Sequence, residues 1–551
     1  AARLVPRLAA ARARRSMRRG RVAAALASHG VARRPAARRV IVVTTVASAV
    51  AVFGANAVVV ADENRLARAE LETGAPAVVD VDARSASQLL AAARSLEDEG
   101  IDAAAVAVIS PRDSDAAETM AVDPEALRRV AHPGTVSGLD LDALALPAQQ
   151  PIRIPGERAT ADISWDLDSE GDGEPPLLTV DMTSRSGNER SVDIATLGPR
   201  SSGRTSVDED LHCSSGCRLS GLTVEASGSA GSRVTGTVTV RGLEVDGEPL
   251  PVTGEGTWQS TGSEGDAGLD VTTKGDALTL EVRAADGADV STHVTDVPRP
   301  VPALASADDL EEGSDVQVVD VAGGQTEVGV HQMVDALPAA TDEGVMLSLP
   351  ALARTDGQVD PSRTRTQLWV GDESPATIDR VREVLADDGL AVTSVATTED
   401  ADRVYDRSAS AWGLQLALIG GGLAVLLAGL VLVILGVTGW RPVARDLAAL
   451  RVSGVSHRSV VRALRTEHLA GVTVGVLLGA VCALVGSWVA LPSVPLFVTP
   501  AAVPDADLAP AWPTVLTATA AVGAVLLGLA LVVAGAVGRR VHLDAARGEA
   551  T

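Results

Sequence analysis

Residues 40–61 read VIVVTTVASAVAVFGANAVVVA, contain no charged side chain, and end directly before Asp62. At about 1.5 Å per helical residue, this stretch is long enough to cross the ~30 Å hydrocarbon core of a membrane. Three further apolar stretches follow late in the chain, at 411–437, 469–490 and 514–537. Because backbone amides in lipid need internal hydrogen bonds, each stretch is predicted to cross as an α-helix. The pattern predicts a membrane α-helical protein with four spans, arranged one plus three.

Arginine is distributed unevenly around these spans. Residues 1–39 contain twelve Arg and no acid, and residues 438–468 contain six Arg against two acids. The tail, 538–551, is also basic, whereas the loop 491–513 carries only acids. Because basic loops stay in the cytoplasm, both termini are predicted to be cytoplasmic and 62–410 extracytoplasmic. We expect a multi-pass protein of the cell membrane, with a basic first segment that lies on lipid headgroups rather than on nucleic acid.

The predicted outer region is strongly acidic. Residues 62–410 contain 26 Lys and Arg against 65 Asp and Glu, a net charge of −39, whereas the whole chain carries −24. Such acidity favours solubility and argues against nucleic acid as an outer partner.

The secondary-structure pattern of this outer region changes twice along the chain. Residues 62–150 mix strand and helix patterns, 151–298 show alternating strands separated by Gly, Ser and Asp, and 299–410 restore the mixed pattern. We predict an extracytoplasmic α/β domain in two parts that carries a β-sandwich or jelly-roll insert. The elements predicted individually are strands at 75–81, 103–109, 177–182, 234–240, 316–321 and 391–395, and helices at 85–99 and 376–387.

The chain has three cysteines. Cys482 lies inside the third span, where a packing role is expected. Cys213 and Cys217 lie in the outer region, in the segment HCSSGC. In an oxidising exterior a small disulfide loop is predicted for this pair. A metal site that includes His212 is the alternative, but it lacks a fourth ligand and the usual spacing.

Two other outer features allow more than one interpretation. Acids alternate from Asp166 to Gly173 as at the start of a calcium loop, but Leu177 stands where the closing Glu would fall. A solvated acidic turn is therefore expected, with calcium binding as the alternative. Trp165, Trp258 and Trp369 are predicted to pack in cores, and sugar-stacking platforms are the alternative.

The loop between the second and third spans contains the most specific local pattern. Residues 441–451 read RPVARDLAALR, and Val443, Leu447 and Leu450 share one face of a helix. An amphipathic helix at the membrane surface is predicted.

A second helix should follow in the same loop. Gly454 can end the first helix, and Ser456 is placed to cap a second one at 459–467. Two helices joined by a turn at this point would form a lever that leads into the third span.

This loop resembles the cytoplasmic loop of FtsX-like ABC transporter permeases. In that family a basic–acidic pair, an apolar run, Arg, Gly, a small pair and a basic residue precede the third span. The residues that take these places here are Arg445, Asp446, Leu447, Leu450, Arg451, Gly454, Val455, Ser456, His457 and Arg458. Asp446 replaces the commoner Glu.

The layout resembles the same family over essentially the whole chain. One span, a large outer domain and three more spans are similar to MacB-type permeases, although the β-insert is larger than in the simplest members. The basic start resembles the junction between the halves of longer actinobacterial members. We therefore expect the C-terminal half of such a protein.

The resemblance implies a function for these parts. The ten loop residues would couple to a separate ABC ATPase subunit, whose ATP hydrolysis moves the outer domain by mechanotransmission. The implied activity is export or extraction of a lipid, lipoprotein, peptide or drug. Membrane lipids and a second permease half or homodimer partner are expected, and an extracytoplasmic protein is a further candidate. The alternative is a non-transport signalling scaffold that regulates a cell-wall hydrolase.

The sequence motifs of catalysis are absent from the chain. Its single lysine, Lys274, follows no phosphate-binding loop, and no G-x-S-x-G elbow occurs. No acid lies in the middle of a predicted span to mark an ion path. We therefore expect no catalytic residue, metal or cofactor, and ATPase activity on a separate partner.

Overall fold

The structure is a computed structural model of the chain. It describes residues 35–548, apart from a set of short segments, and six residues before them. The segments outside the description are 112–116, 147–151, 171–173, 185–186, 199–201, 214–215, 227–231, 253–257, 261–267, 295–296, 299, 307–309, 320, 323–324, 340–342, 356–357, 439–456 and 495–506, and the six earlier residues are 11, 14, 15 and 17–19.

The helices and strands are numbered in chain order over residues 35–548. The helices are α1 (Pro35–Thr73), α2 (Ala86–Asp98), α3 (Pro124–Val130), α4 (Pro133–Val136), α5 (Leu349–Thr355), α6 (Pro375–Asp387), α7 (Thr398–Asp406), α8 (Ala409–Thr438), α9 (His457–Ala490) and α10 (Trp512–Gly548). The strands are β1 (Ala77–Val81), β2 (Ala103–Ile109), β3 (Glu118–Val122), β4 (Arg153–Ile154), β5 (Arg158–Glu170), β6 (Leu177–Ser184), β7 (Glu189–Thr196), β8 (Ser202–Asp210), β9 (Cys217–Glu225), β10 (Arg233–Val245), β11 (Glu248–Pro249), β12 (Trp258–Ser260), β13 (Gly268–Lys274), β14 (Ala277–Ala285), β15 (Val290–Val294), β16 (Val301–Ala305), β17 (Asp315–Val319), β18 (Gln325–Met333), β19 (Gly344–Ser348), β20 (Thr364–Val370) and β21 (Val392–Thr397).

The chain divides into two compact units. The helical unit comprises Ala1–Leu66, Asp402–Pro500 and Asp505–Thr551, and the sheet unit comprises Ala67–Ala401 with Ala501–Pro504. Among the residues that the structure describes, four helices are long and apolar enough to cross a membrane. Their candidate spans are Arg38–Thr73, Ala409–Thr438, Arg465–Ser493 and Trp512–Ala536. Four apolar helices and a large sheet-rich domain are therefore present, as the hydropathy pattern predicts.

A nine-stranded mixed sheet forms one part of the sheet unit, in the order β17-β18-β16-β19-β3-β2-β20-β1-β21. Its strands come from both sides of the segment that holds β4 to β15. The central strand β2 reads AAAVAVI and is buried along its whole length. Ala105 and Ala107 face the core that includes α2, α5 and α6, whereas Val106 and Val108 face the core that includes α3. A strand covered on both faces is apolar throughout, which explains its unbroken run.

Helices α2 and α6 begin at serine caps. The Oγ atom of Ser85 accepts a hydrogen bond from the backbone N–H of Gln88 at 3.1 Å. The Oγ atom of Ser374 accepts one from the N–H of Thr377 at 3.4 Å. Each cap satisfies a backbone donor that the first helical turn leaves free. The predicted helices at 85–99 and 376–387 are confirmed, and the strands predicted individually are also found, with ends that differ by a few residues.

The segment β4–β15 folds into two six-stranded antiparallel sheets. One has the order β13-β14-β10-β5-β8, with β11 paired to β10, and the other β12-β15-β9-β6-β7, with β4 paired to β9. Alternate residues of both sheets point into a single apolar core, for example Ile163 on β5 and Val180 on β6. Two sheets that share one core form a β-sandwich.

The prediction of an acidic turn at 166–173 is wrong for residues 166–170, which are the last part of β5. Asp166 pairs with Thr237 on one side and Ser202 on the other, and Leu167 is buried in the sandwich core. The acids lie along an exposed strand face rather than converging in a loop. This placement also contradicts the calcium-loop alternative.

The helix predicted at 459–467 is not a separate element. Those residues belong to α9, which runs without interruption from His457 to Ala490.

The three tryptophans pack against apolar cores. Trp369 is fully buried, and Trp165 and Trp258 are partly buried against the sandwich core.

Candidate functional site

Most of the residues predicted to couple to an ATPase lie outside the described part of the chain. These are Arg445, Asp446, Leu447, Leu450, Arg451, Gly454, Val455 and Ser456. His457 and Arg458 are the first two residues of α9. The coupling role of this set stays a prediction.

Glycines bring α1 close to α9. A Cβ atom added to Gly475 would lie less than 3 Å from the side chain of Thr44, and one added to Gly479 would lie 2.5 Å from Cβ of Ser48. Thr44 and Ser48 are fully buried. Small residues allow helix backbones to approach closely, which is how apolar helices associate where no hydrophobic driving force exists.

Another pair of glycines brings α1 close to α8. A Cβ atom on Gly421 would lie 2.7 Å from Cα of Ala51, and one on Gly54 would lie 3.1 Å from the carbonyl oxygen of Ala417. Helix α1 therefore has tightly packed contacts with both α8 and α9.

A buried amide links α1 to the other helices of the helical unit. The Nδ2 atom of Asn56 donates to Oγ of Ser487 at 3.1 Å, and its Oδ1 atom accepts from the backbone N–H of Ala511 at 3.0 Å. Asn56 is 1% exposed. A polar group inside an apolar bundle is costly unless it is hydrogen-bonded, so these bonds fix the helices in register.

A charged cluster surrounds Arg65. This residue lies close to Leu66, where the part of α1 that belongs to the helical unit ends. The Nη1 atom of Arg65 donates to Oδ1 of Asp62 at 2.8 Å and lies 3.8 Å from Oδ1 of Asp406. Arg65 is 2% exposed, whereas both aspartates are more than half exposed. In the described residues, Nε and Nη2 of Arg65 have no hydrogen-bond partner.

Asp402 belongs to the same cluster. Burial raises the pKa of Asp402, the charge of Asp406 raises it further, and the charge of Arg65 opposes both. The ion pair of Arg65 with Asp406 connects α1 to α7.

Cys213 and Cys217 are bonded to each other. Their sulfur atoms are 2.15 Å apart and their Cα atoms 5.6 Å apart, just before and at the start of β9. Cys213 is buried in the sandwich core. Because both sulfurs are used in this bond, the alternative metal site with His212 has no thiolate ligand. The residues that the structure describes include no group of three or more His, Cys, Asp or Glu side chains that could hold a metal ion.

A polar cavity of about 430 Å³ lies in the sheet unit, beside the outer face of the sheet that contains β9. Its charged lining residues are Asp181, Glu189, Arg190, Arg218, Asp289 and Arg354. Arg354 is on α5, which packs against β15. No local sequence pattern indicates this cavity, because its residues come from four strands, a helix and connecting segments that are far apart in the chain.

No protein-family model matches this chain, and no curated protein matches it.

Proposed function

We propose that the chain is the permease subunit of an ABC transporter of the FtsX-like, MacB-type class. Four apolar helices in a one-plus-three arrangement around a sheet-rich domain support the proposal. The proposed spans cross the cell membrane with both termini in the cytoplasm, as the basic loops favour. A separate ATPase supplies the energy, and the cargo is a lipid, lipoprotein, peptide or drug.

The packing of α1 carries this proposal. Within the helical unit α1 contacts α8 and α9 through glycines, and its last turn belongs to the sheet unit. There the carbonyl oxygen of Leu71 accepts a hydrogen bond from the N–H of Ala339 at 2.7 Å. One unbroken helix thus has fixed contacts in each unit. A packed helix moves as a rigid body, so a shift of α8 and α9 would carry α1 with it.

In the proposed mechanism the ATPase docks on the loop 445–458. Docking and closure of the ATPase pair push the start of α9, and the glycine contacts pass this displacement to α1. Arg65 and the acids around it hold α1 to α7, so the segments that enter and leave the sheet unit move together.

The proposal is tested by reversing charges in the loop. Asp446→Arg combined with Arg451→Glu should weaken co-purification with the proposed ATPase partner, because unlike pairs at the interface become like pairs. It should also lower ATP turnover by that ATPase in nanodiscs. Asp544→Arg combined with Arg547→Glu is the matched control, since it reverses one pair in the basic tail and should leave both measurements unchanged.

Equal docking and turnover for the loop variant and the control would contradict the coupling role. Stable capture of a cell-wall hydrolase by the outer domain, with no cargo that stimulates turnover, would favour the signalling scaffold instead.

A further inference from the structure

The polar cavity of the sheet unit has a charge pattern that permease function does not explain. It lies beside the outer face of the sheet β12-β15-β9-β6-β7, on the side of α5. A volume of about 430 Å³ is within the range of small-ligand sites, roughly 300–1,000 Å³. Charged and hydroxyl side chains dominate the lining, so its ligand should be polar.

One end of the cavity is positive. Arg218 lies near the start of β9, on the outer face of the sheet. Its Nη2 atom donates to Oγ of Ser87 at 3.0 Å. Burial lowers the pKa of Arg218, and the nearby charges of Arg94 and Arg354 lower it further, opposed by Glu189. Among the charges that act on Arg218, those of Arg94 and of Arg354 each outweigh that of Glu189. An anionic group of a ligand would relieve this repulsion.

The other end is negative. Asp181 accepts hydrogen bonds from Oγ of Ser191 at 2.5 Å and Oγ1 of Thr223 at 2.6 Å. Asp289 accepts one from the backbone N–H of Ala226 at 3.0 Å. These described donors are neutral, so they orient the carboxylates without cancelling their charge.

The pKa of Glu225 is affected by the negative charges at this end of the cavity. Burial raises the pKa of Glu225, and the charges of Asp193, Asp289 and Asp181 raise it further. A cationic group of a ligand would be attracted there.

Strand register separates the two ends. Arg218 lies opposite Thr183 on β6, whereas Asp181 lies opposite Gly221, two to three residues further along. At about 3.3 Å per residue, the arginine and Asp181 are offset by roughly 7–10 Å along the strands. Asp289 lies further in the same direction, because the next residue, Val290, pairs with Val224.

We propose that this cavity binds a short zwitterionic ligand of the peptide type, with its carboxylate at Arg218 and Arg354 and its ammonium group at Asp181. An extended tripeptide places its terminal charges about 7–10 Å apart, which matches the offset. Binding at this site needs no ATPase, so the proposal is independent of the proposed transport function.

The first test is isothermal titration calorimetry on the full chain in detergent micelles with three probes: triglycine, N-acetyl-triglycine and triglycine amide. Triglycine should bind, and each blocked peptide should bind at least tenfold more weakly, because each loses one charge-assisted set of hydrogen bonds. Lack of binding by triglycine at millimolar concentration, or equal binding of all three peptides, would overturn the proposal.

Two variants assign the ends. In Arg218→Gln, the preference for triglycine over triglycine amide should shrink, because the carboxylate loses one of its two arginine partners. In Asp181→Asn, triglycine should bind no more tightly than N-acetyl-triglycine. Asn keeps the shape of the aspartate, and the melting temperature of each variant checks that it is folded. If each variant still distinguishes the blocked peptide as the native chain does, the residue assignment is wrong.

Discussion

Arg65 donates to Asp62 at 2.8 Å, yet the arginine side chain is 2% exposed and the aspartate 55% exposed. The two partners therefore contribute unequally to the stability of the fold. Removing the aspartate leaves a buried cation without its nearest partner, whereas removing the arginine leaves carboxylates that water can solvate. The arginine also has two nitrogen atoms without hydrogen-bond partners among the described residues.

This asymmetry gives the first prediction. Asp62→Arg should lower the free energy of unfolding of the helical unit by about 1–3 kcal/mol, because it places a like charge beside a buried cation, and Arg65→Met should lower it less. Thermal unfolding in detergent, with the same charge reversal at the exposed neighbour, Glu63→Arg, as control, measures both. A larger loss in Arg65→Met than in Asp62→Arg would show that the side chain of Arg65 contributes more to stability than the charge of Asp62 does.

The second prediction concerns pH at Asp402. Its pKa is raised in the folded state by burial and by Asp406. A raised carboxyl pKa means that the folded chain holds this proton more tightly than the unfolded chain does. The ionised group thus destabilises the fold at neutral pH, and this cost disappears as the pH falls through the raised pKa.

Asp402→Asn should therefore raise the melting temperature at pH 7, and the difference from the native chain should shrink as the pH falls through the raised pKa and be lost below about pH 4, the ordinary range of an aspartate. The change Asp379→Asn on α6 is the control, because that carboxylate is 76% exposed and its partner Arg382 is also exposed. A difference for Asp402→Asn that is constant with pH would mean that titration is not its cause.

The third prediction concerns Gly74 and Trp369 in the sheet unit. Gly74 has φ +75°, and a Cβ atom there would overlap the buried indole ring of Trp369. Gly74→Ala should destabilise the chain through both strain and overlap, and by more than about 1 kcal/mol. In a Trp369→Leu background the overlap is removed and only the strain remains, so the added cost of Gly74→Ala should be smaller. Equal costs in the two backgrounds, measured by thermal unfolding, would exclude the ring contact as a cause.

The fold elements that the sequence predicts best are those in which burial alone sets the pattern. Strand β2 is apolar because both of its faces are covered, and α2 begins at a serine whose capping role is visible in the sequence. The four apolar helices belong to the same class. Their patterns are local, so they can be recognised without knowing the partners.

The features that the sequence did not predict depend on distant partners. Asn56 is bonded to Ser487, and Arg65 to Asp406, residues several hundred positions away in each case. The spacing of the acids at 166–170 resembles a calcium loop and predicts a turn, whereas these residues form the end of a strand. The alternation of Ile163 and Leu167 with polar residues was the available signal for a strand, since period-two burial continues through them.

The last prediction separates close packing from helix composition in α8. Gly420, Gly421 and Gly422 are adjacent, but only at Gly421 would a Cβ atom meet another helix, 2.7 Å from Cα of Ala51; at its two neighbours nothing lies within 4 Å. Gly421→Ala should force α1 and α8 apart and lower the melting temperature by several degrees. Gly420→Ala and Gly422→Ala replace glycine by a better helix former and should leave stability unchanged or raised by up to about 1 kcal/mol. If the proposed transmission runs through this contact, Gly421→Ala should also reduce ATP turnover by the partner ATPase, with both neighbours as matched controls. Equal behaviour of the three variants would show that the α1–α8 contact determines neither stability nor coupling.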